Sequence, residues 1–259
     1  MLGVELLEPL QLLLLLVAAL AAGWIDAIVG GGGLIQLPTL LLLGVPPVAA
    51  LGTNKVAGIA GTSVSAFTYW RYHGLNLRLL RISVAAAVAG AAGGSALATV
   101  LPNEIFLPIV LVVLLAVGVF VTFRKDFGTS VAPASDSLIS TRKLALLAAG
   151  TFLIGGYDGF IGPGTGTFLV VLLAAAGCDF LTAASNAKAI NTATNLASLL
   201  IFIPYGAVLW GPGLLMAVAN IIGGYLGART AIKAGSRFIR YILLIVVVAL
   251  VVRISVMIR

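Results

Sequence analysis

"GWIDAIVGGGGLIQLP", residues 23–38, sets one carboxylate and a run of four glycines inside a stretch otherwise dominated by leucine and alanine. A plain membrane helix has use for neither. The chain of 259 residues is 61% hydrophobic and only 9% charged, with a mean hydropathy of +1.19, whereas soluble domains carry about a quarter charged residues. Apolar runs recur along its whole length, so it reads as an all-α polytopic membrane protein. The beginning is not expected to be a cleaved signal peptide, because Glu5 and Glu8 stand where a positive region should be. Cys178 is the one cysteine, which excludes intramolecular disulfides and thiolate metal clusters. The net charge of +7 comes from basic residues gathered in short loops, the pattern of cytoplasmic membrane edges rather than of a nucleic-acid surface.

Working outward from the glycines, breakers divide the chain into ten apolar segments, near 10–29, 34–44, 48–70, 82–101, 104–123, 144–161, 166–177, 182–204, 212–232 and 241–258. A crossing needs about 20 residues, and 34–44 and 166–177 fall short. The stretch 124–143, polar with basic ends, is the linker between a first membrane repeat, 1–123, and a second, 144–259.

The halves resemble each other. "GWIDAIVGGGG" (23–33) answers "GGYDGFIGPGTG" (155–166), setting Asp26 against Asp158. "GTNK" (52–55) answers "ASNAK" (184–188) with one residue inserted. From each lysine a stripe follows along one helix face: Lys55, Gly58, Thr62, Ser65 and Tyr69 match Lys188, Asn191, Asn195, Ser198 and Phe202. Gly90 and Gly94 match Gly223 and Gly227, small residues that let helices approach closely in lipid. The loop 71–81 holds three arginines and its counterpart 205–211 no charge; 102–104 has no basic residue and its counterpart 233–240 has three. If basic loops are cytoplasmic, the repeats have inverted topology, typical of secondary transporters. The linker then comes out cytoplasmic and both termini external. Either five segments cross per half, or each long–short pair forms a re-entrant hairpin and three cross. The short segments favour the hairpin, which is tolerable only inside protein or against a water-filled cavity.

The glycine breaks suggest an anion site. Without Cβ atoms the chain turns sharply and bares backbone N–H groups, and a helix starting there points its positive dipole end at the ligand. Gly31, Gly32 and Gly33 in the first half, and Gly164, Thr165 and Gly166 in the second, are the candidates. Thr53, Asn54 and Lys55, with Ser185, Asn186, Lys188, Asn191 and Asn195, are candidate lining. An ionised carboxylate in mid-membrane costs at least ~2.5–3.5 kcal/mol unless paired or hydrated. Asp26 and Asp158 therefore read as proton carriers, salt-bridge partners of the lysines, or helix caps. The lysines either line the cavity or snorkel to an interface. Which aspartate faces which lysine is not readable from the sequence. No metal site or cofactor is expected, and His73 reads as structural.

At "GWIDAIVGGGGLIQLPTLLLLGVPPVAALGTNK" and "GGYDGFIGPGTGTFLVVLLAAAGCDFLTAASNAKAINTATNLASLLIF", the chain resembles the TauE/SafE family of membrane permeases, from about residue 15 to 258. The closing "NIIGGYLGARTAIKAGSRFIR" (220–240) belongs to the same likeness. The resemblance implies a bacterial or archaeal inner-membrane carrier for sulfite, thiosulfate, sulfoacetate or related organosulfonates, usually an exporter, with protons as the suspected coupling ion. Two other readings stand beside it: an anion channel, and an intramembrane aspartyl protease using Asp26 and Asp158. The second lacks the Gly-x-Gly that such proteases place immediately before one aspartate.

Overall fold

A computed structural model describes residues 8–102, 104–106, 108–110, 112 and 141–257; of residues 73, 141, 180 and 235–257 only the backbone is described. Most of the linker expected at 124–143, and most of the segment expected at 104–123, lie outside the described residues. Among the described residues all regular structure is helical. The helices are α1 (Pro9–Val29), α2 (Gly33–Leu42), α3 (Pro47–His73), α4 (Leu77–Val100), α5 (Thr141–Phe160), α6 (Thr165–Ala175), α7 (Phe180–Phe202) and α8 (Trp210–Met257).

Local chemistry sets the ends. Pro9 opens α1, with Glu8 and Gln11 forming a capping box. Asn76 caps α4 by accepting from Leu79 N–H, and Asp179 caps α7 by accepting from the N–H groups of Leu181 and Thr182. α1, α4 and the 210–234 part of α8 are long and apolar enough to cross a membrane. At 10 and 11 residues, α2 and α6 span only about 15 Å each. A connector is expected at 233–240, yet the backbone continues there as helix from Trp210 to Met257. "KAGSRFIR" contains no proline and one glycine, so nothing in it stops a helix that is already propagating.

The packing exchanges elements between the halves. α1 of the first half lies parallel to α8 of the second: Asn220 Nδ2 donates to Ala19 O at 2.9 Å, and Gly223 and Gly227 abut the backbone at Leu20 and Trp24. Correspondingly, α5 lies parallel to α4, with Gly90 and Gly94 against Phe152 and Gly156, and Ser95 Oγ donating to Gly159 O at 3.1 Å. A Cβ at any of these four glycines would enter a facing backbone, so close approach replaces the hydrophobic drive that lipid does not supply. Between these pairs, α3 and α7 run antiparallel. The start of α3 meets the end of α7, with Leu209 N–H donating to Thr53 Oγ1 at 2.9 Å. The hydroxyls of Thr62 and Thr192 lie 3.0 Å apart midway, and Ser185 Oγ donates to Gly74 O at 2.8 Å at the other end.

Candidate functional site

Both glycine breaks meet at the centre. α1 ends where Gly30 adopts φ 84°, its N–H donating to Asp26 O at 2.8 Å. The second break turns at Gly162 (φ 95°) and Gly164 (φ 86°). Gly30 lies directly on the backbone of Gly166 and Thr167, and a Cβ at Gly33 would stand 3.1 Å from Pro163 Cα. The contact is tied by Thr167 Oγ1 donating to Val29 O. Inside the second break, Tyr157 OH donates to Pro163 O at 2.5 Å and Thr165 Oγ1 to Gly162 O at 2.6 Å. The N-terminal ends of α2 and α6 therefore open into one small region, each with backbone N–H groups that the helix itself cannot satisfy.

Two ion pairs flank it. Lys55 and Lys188 are each the ninth residue of their helices, α3 and α7, and each reaches the aspartate of the other half. Lys55 Nζ stands 3.1 Å from Asp158 Oδ2 and donates to Asp158 O at 2.6 Å. Lys188 Nζ donates to Asp26 Oδ2 at 2.8 Å and also to Asp26 O. Asp26 Oδ1 in turn accepts from Gly32 N–H at 3.2 Å, so this carboxylate both pairs a lysine and holds the glycine turn. Both lysines are 1% exposed, and neither reaches an interface. The antiparallel helices touch at Gly58, where a Cβ would lie 3.1 Å from Asn195 Nδ2. Each lysine precedes that contact on its own helix, so the two ion pairs lie on opposite sides of it.

Between them is a cleft of about 400 Å³, counting the space at its mouth. Of the residues singled out in the sequence, Asp26, Gly32, Gly33, Asn54, Lys55, Asp158, Gly164, Asn191 and Asn195 line it. Gly31, Thr53, Thr165, Gly166, Ser185, Asn186 and Lys188 do not, and most of these have other partners. Thr53 ties α3 to the connector that follows α7, and Ser185 ties α7 to the connector that follows α3; Thr165 braces its own turn; Gly166 receives Gly30; and Asn186 Nδ2 donates to Thr182 O at 2.8 Å. Asn54 immediately precedes Lys55, whereas the inserted Ala187 separates Asn186 from Lys188. One residue is about 100° of helix, which turns Asn186 away from the cleft.

The cleft also contains residues outside that selection: Gly30, Gly58, Thr62, Gly162, Gln36 and Asn220. Gly58 and Thr62 belong to the polar stripe. Gln36 and Asn220 are lone amides in segments otherwise apolar around them, and that isolation is the signal that marks them, since a polar group in a membrane segment is costly without a use.

The sequence matches the family model described as "Sulfite exporter TauE/SafE" over residues 15–254. It is 36% identical over 240 residues to the "Probable membrane transporter protein ORF9" of Sinorhizobium sp, covering 92% of this chain and 90% of that one. It is 33% identical to a "Probable membrane transporter protein" of Haemophilus influenzae, covering 92% of this chain and 90% of the relative. The "Probable membrane transporter protein YfcA" of Escherichia coli K12 is 31% identical, with 93% and 88% covered. No solved structure matches the chain significantly. Apolar helices of spanning length, and a family match over nearly the whole chain, lead to one conclusion: this is a multi-pass membrane transporter and it belongs to the TauE/SafE sulfite exporter family.

Proposed function

We propose that the chain is a secondary carrier that exports a small sulfur-containing anion, in the class of sulfite, thiosulfate or sulfoacetate, across the inner membrane. The observation that carries the reading is the meeting of the two glycine breaks: two helix N-termini and two cross-half ion pairs converge on one open-mouthed cleft. That arrangement suits an anion through backbone N–H groups and dipole ends. The aspartyl-protease alternative needs two carboxylates sharing a proton, whereas Asp26 and Asp158 each face a lysine. In this reading Asp26 is the better proton carrier, because its side chain is 16% exposed against 3% for Asp158. Purified protein in liposomes is expected to move labelled sulfite saturably, with counter-exchange faster than net flux and with net flux responding to an imposed pH gradient. Sulfite flux absent from such vesicles, or flux that rises linearly with concentration, would overturn the carrier reading; the linear case would indicate a channel.

The carrier reading includes inverted repeats, 1–123 and 144–259, joined by a cytoplasmic linker at 124–143. It is supported by the antiparallel course of the corresponding helices α3 and α7, which sends the basic loop 71–81 and the uncharged loop 205–211 to opposite ends. The aromatic and basic cluster at the end of α3, with Arg71 5.8 Å over the Phe67 ring and Phe67 5.8 Å from Trp70, suits a membrane–water boundary. On a Cys178→Ser background, single cysteines in 71–81 are expected to label only from the cytoplasm and those in 205–211 only from outside. Labelling of both loops from one side excludes the inverted arrangement.

A further inference from the structure

Neither Lys55, which lines the cleft, nor Lys188, which lies behind Asp26, has much charge left to offer. Lys55 and Lys188 each spend their ammonium on an aspartate carboxylate and on that residue's carbonyl. The four charges sum to zero. What the cleft does offer is neutral: bare glycine backbone and side-chain amides. Two of those amides are buried with a polar atom unused. Gln36, 3% exposed, has an Nε2 that donates to nothing, and Asn54, 8% exposed, has an Oδ1 that accepts nothing. A buried polar atom without a partner costs about 1–3 kcal/mol, so two on one cleft mark where an occupant, water or ligand, supplies the missing hydrogen bonds. Both belong to the first half. The second half has Phe168 where the glycine-break alignment sets Gln36, and its Asn186 is turned to Thr182.

We infer that the cleft selects a singly charged oxyanion over a doubly charged one, and that Gln36 and Asn54 are the residues that read it. The desolvation cost of an ion rises with the square of its charge, and burying an uncompensated charge is among the most expensive steps in a protein. Amides and helix ends, each a partial charge, can replace the water around one negative charge. A second charge needs a free cation, and both cations here already have counter-ions. An amide presents a donor and an acceptor whichever way it is turned. The pair therefore also suits a ligand that carries both a bare oxygen and an O–H, as a hydrogen-oxyanion does. This rests on the anion-carrier reading and narrows it, towards sulfite in its hydrogen form or a simple monosulfonate and away from thiosulfate or sulfoacetate, which carry two charges.

Methanesulfonate and sulfate provide the test, since they are close in shape and differ by one charge. Against labelled sulfite flux in wild-type liposomes, methanesulfonate is expected to compete at least about tenfold more effectively than sulfate. Equal competition, or stronger competition by sulfate or thiosulfate, overturns the inference while leaving the carrier reading in place. Vesicles in which labelled sulfite does not move at all would overturn the carrier reading itself. At residue level, Gln36→Leu is expected to weaken methanesulfonate competition by on the order of tenfold, the loss of one hydrogen bond to a charged group. Gln36→Glu, which adds a negative charge to the cleft, is expected to abolish flux. Wild-type flux and competition in both variants would remove Gln36 from the site.

Discussion

Lys55→Met is expected to abolish anion flux and to lower the stability of the solubilised protein sharply, and adding Asp158→Asn to the same chain is expected to restore most of that stability. The Lys55 and Asp158 side chains are 1% and 3% exposed. Deleting the cation leaves a carboxylate in a low-dielectric interior with no counter-charge, and removing one partner of such a pair costs about 3–5 kcal/mol. The orphaned charge also makes the cleft net negative, which opposes an anion directly. Neutralising both partners removes that penalty and returns the cleft to zero charge, so anion binding should recover in part. The equivalent pair, Lys188 with Asp26, is less enclosed on its acidic side, and Asp26 keeps a hydrogen bond from Gly32 N–H. Lys188→Met should therefore be the milder of the two. Thermal midpoints and sulfite flux in the two single variants and the double variant decide the matter. A Lys55→Met protein as stable and active as wild type would show that the pair holds nothing together. A double variant no better than the single one would show that the damage does not come from the unpaired aspartate.

The sequence displays the ingredients of this site more clearly than their arrangement. Repetition marks Asp26 with Asp158 and Lys55 with Lys188, because a charge repeated at matching positions in two apolar halves is hard to attribute to chance. What repetition cannot supply is that each half completes the other's site. Equivalence relates Lys55 to Lys188; contact relates Lys55 to Asp158. The second relation depends on α1 lying against α8 and α5 against α4, which follows from close glycine contacts in three dimensions and not from spacing along the chain. The Asn54 and Asn186 motifs look alike in sequence, yet one inserted alanine rotates the second off the cleft. Gln36 escapes a search for repeated residues because it has no counterpart. A basic stretch with one glycine near 232 reads as a segment end, whereas the backbone carries Gly235 within α8 and the helix continues to Met257.

Gly30→Ala is expected to remove transport and to destabilise the protein by several kcal/mol, although it adds a single methyl group. Two costs coincide at that position. The backbone sits at φ 84°, where an L-residue with a Cβ pays roughly 1–2 kcal/mol. In addition, the new Cβ would enter the backbone of Gly166 and Thr167, and backbone cannot swing aside as a flexible side chain can. Relief of the overlap requires the two glycine breaks to separate, which opens the contact closed by Thr167 and Val29 and displaces both helix ends from the cleft. Gly44 provides the control. It has nearly the same backbone angle, φ 80°, but nothing stands within 4 Å of its missing Cβ. Gly44→Ala should therefore show the conformational cost alone, about 1–2 kcal/mol, with flux close to wild type. Thermal unfolding and sulfite counter-exchange measured side by side separate the two effects. If Gly30→Ala behaves like Gly44→Ala in both, the meeting of the two breaks is not what holds the site in its working shape.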